Sequence, residues 1–153
     1  MIRKSANTRL SLLITAFLSL LLLFVSSSAH AAKEVVPKQL EGAKRINAEE
    51  LISLAESIAE LIIIDARISN DRTYGYIEDS ISLPNTKTDC DSLSKNIKTL
   101  TSPTVYYCNG PKCGRSVKSI KIALKCGYSN IYWYRGGFED WKELDYPFVM
   151  SDH

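Results

Sequence analysis

The stretch that decides the fold lies at residues 104–116 and reads TVYYCNGPKCGRS. Its first four residues are β-branched or aromatic, which predicts a strand that ends where Cys108 begins a loop. A glycine-containing loop follows, and apolar residues at helical spacing from Val117 predict a helix that begins at Arg115. One short segment therefore holds a thiol at a strand end, a loop and a helix start.

The same alternation of strand and helix continues on both sides of this segment. Strands are predicted at residues 45–46, 61–64, 81–84, 104–107 and 131–134. Helices are predicted from a cap at Asn47 to residue 58, and at residues 91–100, 115–126 and 138–144. Strands that alternate with helices favour an α/β fold, in which a mostly parallel sheet is covered on both faces.

The chain divides into one domain and its flanking segments. The alternating pattern covers residues 44–149 without an internal repeat, residues 32–43 form a polar lead-in, and residues 150–153 form a short tail. Residues 1–31 combine a basic start, an uncharged apolar run at 10–25 and the small-x-small site Ala29-His30-Ala31. That combination is typical of a secretory signal peptide, which predicts cleavage after Ala31.

The competing interpretation of residues 1–31 is an uncleaved membrane anchor. The apolar run is shorter than the ~20 residues that span a bilayer, so cleavage is favoured. We therefore expect an exported protein, in the periplasm of a bacterium, that contacts the membrane only if the segment is retained.

The charge of the chain excludes a nucleic-acid surface. Residues 1–31 hold three of the 19 basic residues and no acidic one, so the remainder carries 16 basic and 17 acidic residues. The two histidines, His30 and His153, both lie outside the predicted domain. A Cys-His hydrolase is excluded because no imidazole is available as its base.

Cys108 is the strongest candidate for chemistry. Backbone N–H groups in the first turn of a helix have no partners within the helix, and the helix dipole adds to their attraction for an anion. Lys112 and Arg115 supply nearby cations, and both effects lower the pKa of a thiol and favour the nucleophilic thiolate. A persulfide on Cys108 would be stabilised in the same way. The alternative is a small buried core residue, but glycine, proline, lysine and arginine are poor core companions.

Five segments together resemble the rhodanese-like domain family over nearly all of residues 44–149. In chain order, the segments resemble the family's Asp-x-Arg motif, its Gly-His-Ile segment, its active-site loop in the Cys-Asn-Gly-Pro-x-Cys form, its Gly-Tyr pair at a helix end and its C-terminal Gly-Gly-x-x-x-Trp motif. They lie at residues 64–67 (IDAR), 75–84 (GYIEDSISLP), 107–116 (YCNGPKCGRS), 127–128 (GY) and 136–141 (GGFEDW).

The resemblance implies a three-layer α/β/α fold, here with a five-stranded sheet, and a sulfurtransferase that needs no cofactor. Cys108 would take the outer sulfur of a donor such as thiosulfate and pass it to a thiol, to cyanide or to a protein acceptor. The residues that would surround the substrate are those of the loop and helix start: Asn109, Gly110, Pro111, Lys112, Cys113, Gly114, Arg115 and Ser116.

The chain departs from the family pattern at two kinds of position. Tyr76 stands where the family has histidine and Asp79 where it has glycine, from which we expect adjusted packing and unchanged chemistry. The spacing from Cys108 to Arg115 is Cys-x6-Arg, longer than the common form. Related cell-cycle phosphatases need Cys-x5-Arg to grip phosphate, so the spacing argues against phosphate ester hydrolysis.

Two interpretations remain open for several side chains. Asp65 and Arg67 could bind substrate, but a pair that supports the loop is favoured, and Arg115 could contact an anionic donor or be solvated. Arg135 could face the pocket. Cys113 could form a reversible disulfide with Cys108 or pack at the helix start. Cys90 and Cys126 are expected to be structural, and the cysteine spacing does not predict a metal site.

Three functions remain open at this point. The first is an enzyme that transfers sulfur through a Cys108 persulfide. The second is a carrier or binding module that delivers sulfur to a partner with little turnover. The third is a redox protein that uses Cys108 and Cys113 as a dithiol pair.

Overall fold

The computed structural model describes residues 35–150, so the predicted signal peptide and the last three residues lie outside the described part. Within it, five strands form one sheet in which every pairing is parallel. The strands are β1 (Ala43–Ile46), β2 (Ile62–Asp65), β3 (Ile81–Ser82), β4 (Thr104–Tyr107) and β5 (Ile131–Tyr134), in the order β1-β5-β4-β2-β3.

Four α-helices cover the two faces of this sheet. They are α1 (Ala48–Ser57), α2 (Cys90–Asn96), α3 (Arg115–Lys125) and α4 (Gly137–Glu143). On one face, Tyr106 of β4 packs with Leu93 of α2 and Ile120 of α3. On the other face, Val105 and Tyr107 pack with side chains of α1 and α4, among them Leu51 and Trp141. The predicted three-layer α/β/α architecture is therefore confirmed.

Local sequence signals set most of the helix ends. Asn47 Oδ1 accepts the Glu50 N–H at 2.8 Å, while the Glu50 carboxylate accepts the Asn47 N–H at 2.9 Å, which is the predicted capping box at the start of α1. Gly127, the second residue after α3, has a φ of +93°, the left-handed conformation with which glycine ends helices.

The prediction for α2 is wrong at its end. The helix stops at Asn96 instead of residue 100, because Ile97 takes extended backbone angles and its side chain is 1% exposed in the core. The sequence pattern did not predict the 3-10 helices Ser69–Tyr74 and Asn85–Lys87, which follow β2 and β3. Among residues 35–150, no helix is long and apolar enough to cross a membrane.

Tyr76 and Asp79, which depart from the family pattern, lie in the segment between β2 and β3. Asp79 has a φ of +59°, so it occupies the left-handed region that suits glycine. Tyr76 lies under the Arg72 guanidinium, whose carbon is 3.6 Å from the ring centroid. Tyr76 also pairs with Val149 through two backbone hydrogen bonds of 2.9 and 3.0 Å, which hold the C-terminal segment against this part of the chain.

Candidate active-site loop

The loop that follows β4 begins at a fixed Cys108. The Cys108 carbonyl accepts the Phe138 N–H at 2.9 Å, and the Asn109 carbonyl accepts the Glu139 N–H at 2.7 Å. Gly137 makes this approach possible, because its φ is +69° and a Cβ at that position would collide with the backbone of Cys108 and Asn109. The start of α4 therefore packs directly on the start of the loop.

The rest of the loop turns back onto Cys108. The Cys113 N–H donates to the Gly110 carbonyl at 2.9 Å, with Pro111 and Lys112 exposed at the corner of the turn. This turn brings Cys113 against Cys108, and the two sulfur atoms form a disulfide with Cα atoms 6.1 Å apart. In this state Cys108 carries no free thiol.

The two cysteine residues differ in their access to solvent. Cys108 is 2% exposed, whereas Cys113 is partly exposed and lines an open cleft of about 370 Å³. The cleft is bounded by residues of the loop, the start of α3 and α4: Asn109, Gly110, Lys112, Cys113, Gly114, Arg115 and Glu139. A molecule in the cleft therefore meets Cys113 first.

The start of α3 presents backbone amides next to the loop. Gly114 is the N-cap residue and provides no side-chain cap. The N–H groups of the first helical turn have no partner within the helix, so the positive end of the helix dipole lies beside the loop. The Ser116 side chain does not face the cleft, because it is buried and its Oγ accepts the Trp133 indole N–H at 3.1 Å.

Asp71 holds both ends of the loop, and the sequence analysis missed it. Its Oδ2 accepts Asn109 Nδ2 at 3.1 Å and Arg115 Nη1 at 2.9 Å. The Arg115 charge is therefore paired within the protein, an arrangement that neither interpretation of Arg115 had included. The position of Asp71 in the sequence could have indicated this role, because Asp71 follows β2 by six residues and the carboxyl ends of neighbouring parallel strands share one edge of the sheet.

Asp65 lies fully buried beneath the loop and is the centre of a polar network. It accepts Arg67 Nε at 2.9 Å, Arg67 Nη2 at 2.7 Å, Arg72 Nη1 at 3.0 Å and the Tyr107 hydroxyl at 2.8 Å. Ser80 Oγ lies 3.0 Å from the same hydroxyl. Tyr107 directly precedes Cys108, so the network fixes the strand end that carries the thiol, and Arg72 is a member that the sequence analysis missed.

Opposing effects set the pKa values in this network. Burial raises the pKa of the Asp65 carboxyl, but the hydrogen bonds and charge of Arg67 and the Tyr107 hydroxyl outweigh burial and hold that pKa below 3.8. Burial, together with the Asp65 charge, raises the pKa of Tyr107. Asp65 therefore stays charged and Tyr107 stays a donor near neutral pH.

Arg135 lies away from the cysteines. Its Nε donates to the Pro37 carbonyl at 2.9 Å, and its guanidinium carbon is 5.8 Å from the Trp133 ring centroid. It lines a separate cleft with Pro111 and Asp140. In this structure Arg135 holds the lead-in segment against the sheet.

The remaining cysteines form a second disulfide. Cys90, the first residue of α2, is bonded to Cys126, the residue that follows α3. Within residues 35–150, no group of three His, Cys, Asp or Glu side chains could hold a metal ion.

The fold and the loop together define a class: α/β domains with a cysteine loop between a central parallel strand and the following helix. The Rhodanese-like domain family matches residues 47–144 of the chain. The chain therefore belongs to the rhodanese-like domain family, as its motifs indicate.

Solved structures of the same fold come from several organisms. A Bacillus halodurans protein is 20% identical with a TM-score of 0.62, and the match covers 71% of this chain and 77% of that one. A rhodanese-related protein from Thermoplasma volcanium is 25% identical with a TM-score of 0.53, covering 71% and 99%. A thiosulfate sulfurtransferase from Pseudomonas aeruginosa is 20% identical with a TM-score of 0.61, covering 72% of this chain and 21% of that one. No curated protein sequence matches the chain.

Proposed function

We propose that this protein is an exported sulfurtransferase that carries sulfur as a persulfide on Cys108. The observation that carries the proposal is the position of Cys108, which lies between the end of β4 and the uncapped start of α3. Unpartnered backbone amides at that helix start favour a sulfur anion over a neutral thiol. The Pseudomonas aeruginosa neighbour, described as a thiosulfate sulfurtransferase, supports the choice of donor.

The proposed cycle starts from the reduced protein. The Cys108 thiolate attacks the outer sulfur of thiosulfate, the sulfur–sulfur bond of the donor breaks, and sulfite leaves with the bonding electrons. A thiolate or cyanide then attacks the outer sulfur of the persulfide, which restores the Cys108 thiolate. The Cys108–Cys113 disulfide offers no nucleophile, so it must be reduced before the first step.

Sulfur loading on the reduced protein tests this proposal. Thiosulfate treatment should release one sulfite per chain from the reduced wild type, and the reduced Cys113→Ser variant, which cannot form the Cys108–Cys113 disulfide, should also gain one sulfur atom by intact mass. Cys108→Ser should remain folded by circular dichroism and release no sulfite, whereas Cys90→Ser/Cys126→Ser should release sulfite like the wild type. Sulfite release by Cys108→Ser, or none by the reduced wild type, would refute the assignment.

A dithiol redox protein is the second candidate, and the Cys108–Cys113 disulfide favours it. In that case the pair would exchange electrons with a partner dithiol, without any sulfur gain. The same experiment separates the two functions, because a redox pair loses two hydrogens on oxidation and releases no sulfite from thiosulfate.

A further inference from the structure

We propose that Cys113 is a second catalytic residue, which discharges the Cys108 persulfide as hydrogen sulfide. This inference rests on the proposed function, since it needs a persulfide to act on. It makes the protein a sulfide-releasing enzyme, in which the outgoing sulfur is reduced by the protein's own dithiol before any outside acceptor arrives.

The geometry places the attacking atom beside its target. The turn from Gly110 to Cys113 is closed by a backbone hydrogen bond of 2.9 Å and brings the Cys113 sulfur within bonding distance of the Cys108 sulfur. Asp71 holds Asn109 and Arg115 on either side of this turn. Cys113 can therefore reach the inner sulfur of a Cys108 persulfide through movement of the turn alone.

The step balances in atoms and electrons. Cys113 loses its proton and attacks the Cys108 sulfur, a new bond forms between the two cysteine sulfurs, and the bond to the outer sulfur breaks. The outer sulfur leaves with the bonding pair and takes the proton as HS⁻. The sulfane sulfur is reduced by two electrons while the two cysteines are oxidised to the disulfide seen in the structure.

The unequal exposure of the two cysteines determines which of them an external reductant attacks when the disulfide is reduced. An external dithiol can reach the partly exposed Cys113, whereas Cys108 is 2% exposed. Attack at Cys113 expels Cys108 as a thiolate and joins Cys113 to the reductant in a mixed disulfide. A second thiol of the reductant then frees Cys113, so the reductant leaves as a disulfide and Cys108 is ready for another donor.

A single-turnover experiment tests the inference. The protein is reduced without oxygen, freed of reductant, given one equivalent of thiosulfate and assayed for sulfite, sulfide, intact mass and disulfide peptides. The wild type should release one sulfite and one sulfide per chain and end with the Cys108–Cys113 disulfide. Cys113→Ser and Cys113→Ala should release sulfite and keep the extra sulfur until an external thiol is added. Because the wild-type step is intramolecular, sulfide release by the wild type should be roughly a hundredfold or more faster than the thiol-dependent release from the Cys113 variants.

The variants separate this inference from the proposed function. Cys90→Ser/Cys126→Ser is the matched control for cysteine loss and should release sulfide like the wild type. If the wild type keeps its extra sulfur as Cys113→Ser does, the proposed role of Cys113 is wrong. The proposed function, sulfur transfer through a Cys108 persulfide, would still stand. Failure of every variant to release sulfite would overturn the proposed function, and the inference with it.

Discussion

At the scale of single residues, the chain shows how a departure from a family pattern is accommodated. Asp79 stands where the family has glycine and keeps the backbone conformation of glycine, with a φ of +59°. Aspartate is one of the few residues that tolerate this region, because its short polar side chain can hydrogen-bond locally. Asp79 therefore adopts backbone angles that glycine can also adopt.

Substitutions at Asp79 should reveal this backbone constraint. Asp79→Val should lower the free energy of unfolding by about 1–2 kcal/mol, because a β-branched residue is strained at positive φ. Asp79→Gly should stay within about 1 kcal/mol of the wild type. Urea unfolding of both variants checks the prediction, and equal losses for valine and glycine would contradict it.

Asp65→Asn should strongly destabilise the protein. Arg67 is 2% exposed, and the substitution leaves its charge and that of Arg72 without the carboxylate that both now contact. Removing one partner of a buried ion pair lowers the free energy of unfolding by about 3–5 kcal/mol. Urea unfolding measures the loss, and Glu78→Gln, at an exposed carboxylate, should change stability by less than about 0.5 kcal/mol.

The same carboxylate should make stability depend on acidity. The pKa of Asp65 is lower in the folded protein than its ordinary value of 3.8, so its stabilisation is fully present above that value. It is lost as the pH falls through the folded-state pKa. The difference in unfolding free energy between wild type and Asp65→Asn should therefore shrink below pH 3.8, and a difference independent of pH would contradict the pKa shift.

At the scale of elements, helix α3 is tied down at both ends by disulfides. Cys113 lies just before it and Cys126 just after it. The first bridge closes a loop within the candidate site, whereas the second joins α3 to the start of α2 across a separation of 36 residues. We therefore propose different tasks for the two bridges, the first in chemistry and the second in stability.

Removal of the long bridge should affect stability alone. Cys90→Ala/Cys126→Ala should lower the free energy of unfolding by about 2–4 kcal/mol, because a long loop gains freedom in the unfolded chain. Sulfite release from thiosulfate should be unchanged. Urea unfolding and the sulfite assay measure the two effects, and a loss of stability below about 1 kcal/mol would contradict a structural role.

At the scale of the whole molecule, the sequence predicted the layers better than the contacts between them. Strand β4 and helix α3 were predictable because periodicity and caps are local signals. The partners of Asp65 were only partly predictable, since Arg67 is two residues away in the chain while Arg72 depends on the path of a 3-10 helix. The pairing of Asp71 with Arg115 needed the sheet order, which brings loops from β2 and β4 together.

We also propose that the chain is exported and carries both disulfides outside the cytoplasm. The composition of residues 1–31 and the presence of two disulfides support this proposal. Protein isolated from the periplasm should begin at Ala32 by mass spectrometry and show no reactive thiol before reduction. An intact N-terminus in the membrane fraction would favour the anchor instead.

The contact between Gly137 and the backbone of Cys108 and Asn109 has a consequence for how this site could be redesigned. The first two residues of the loop make the backbone hydrogen bonds to α4, whereas Pro111 and Lys112 lie exposed at the corner of the turn. Substitutions at these two positions should alter which acceptors fit while both cysteines stay in place. Acceptor preference could thus be engineered separately from the sulfur chemistry.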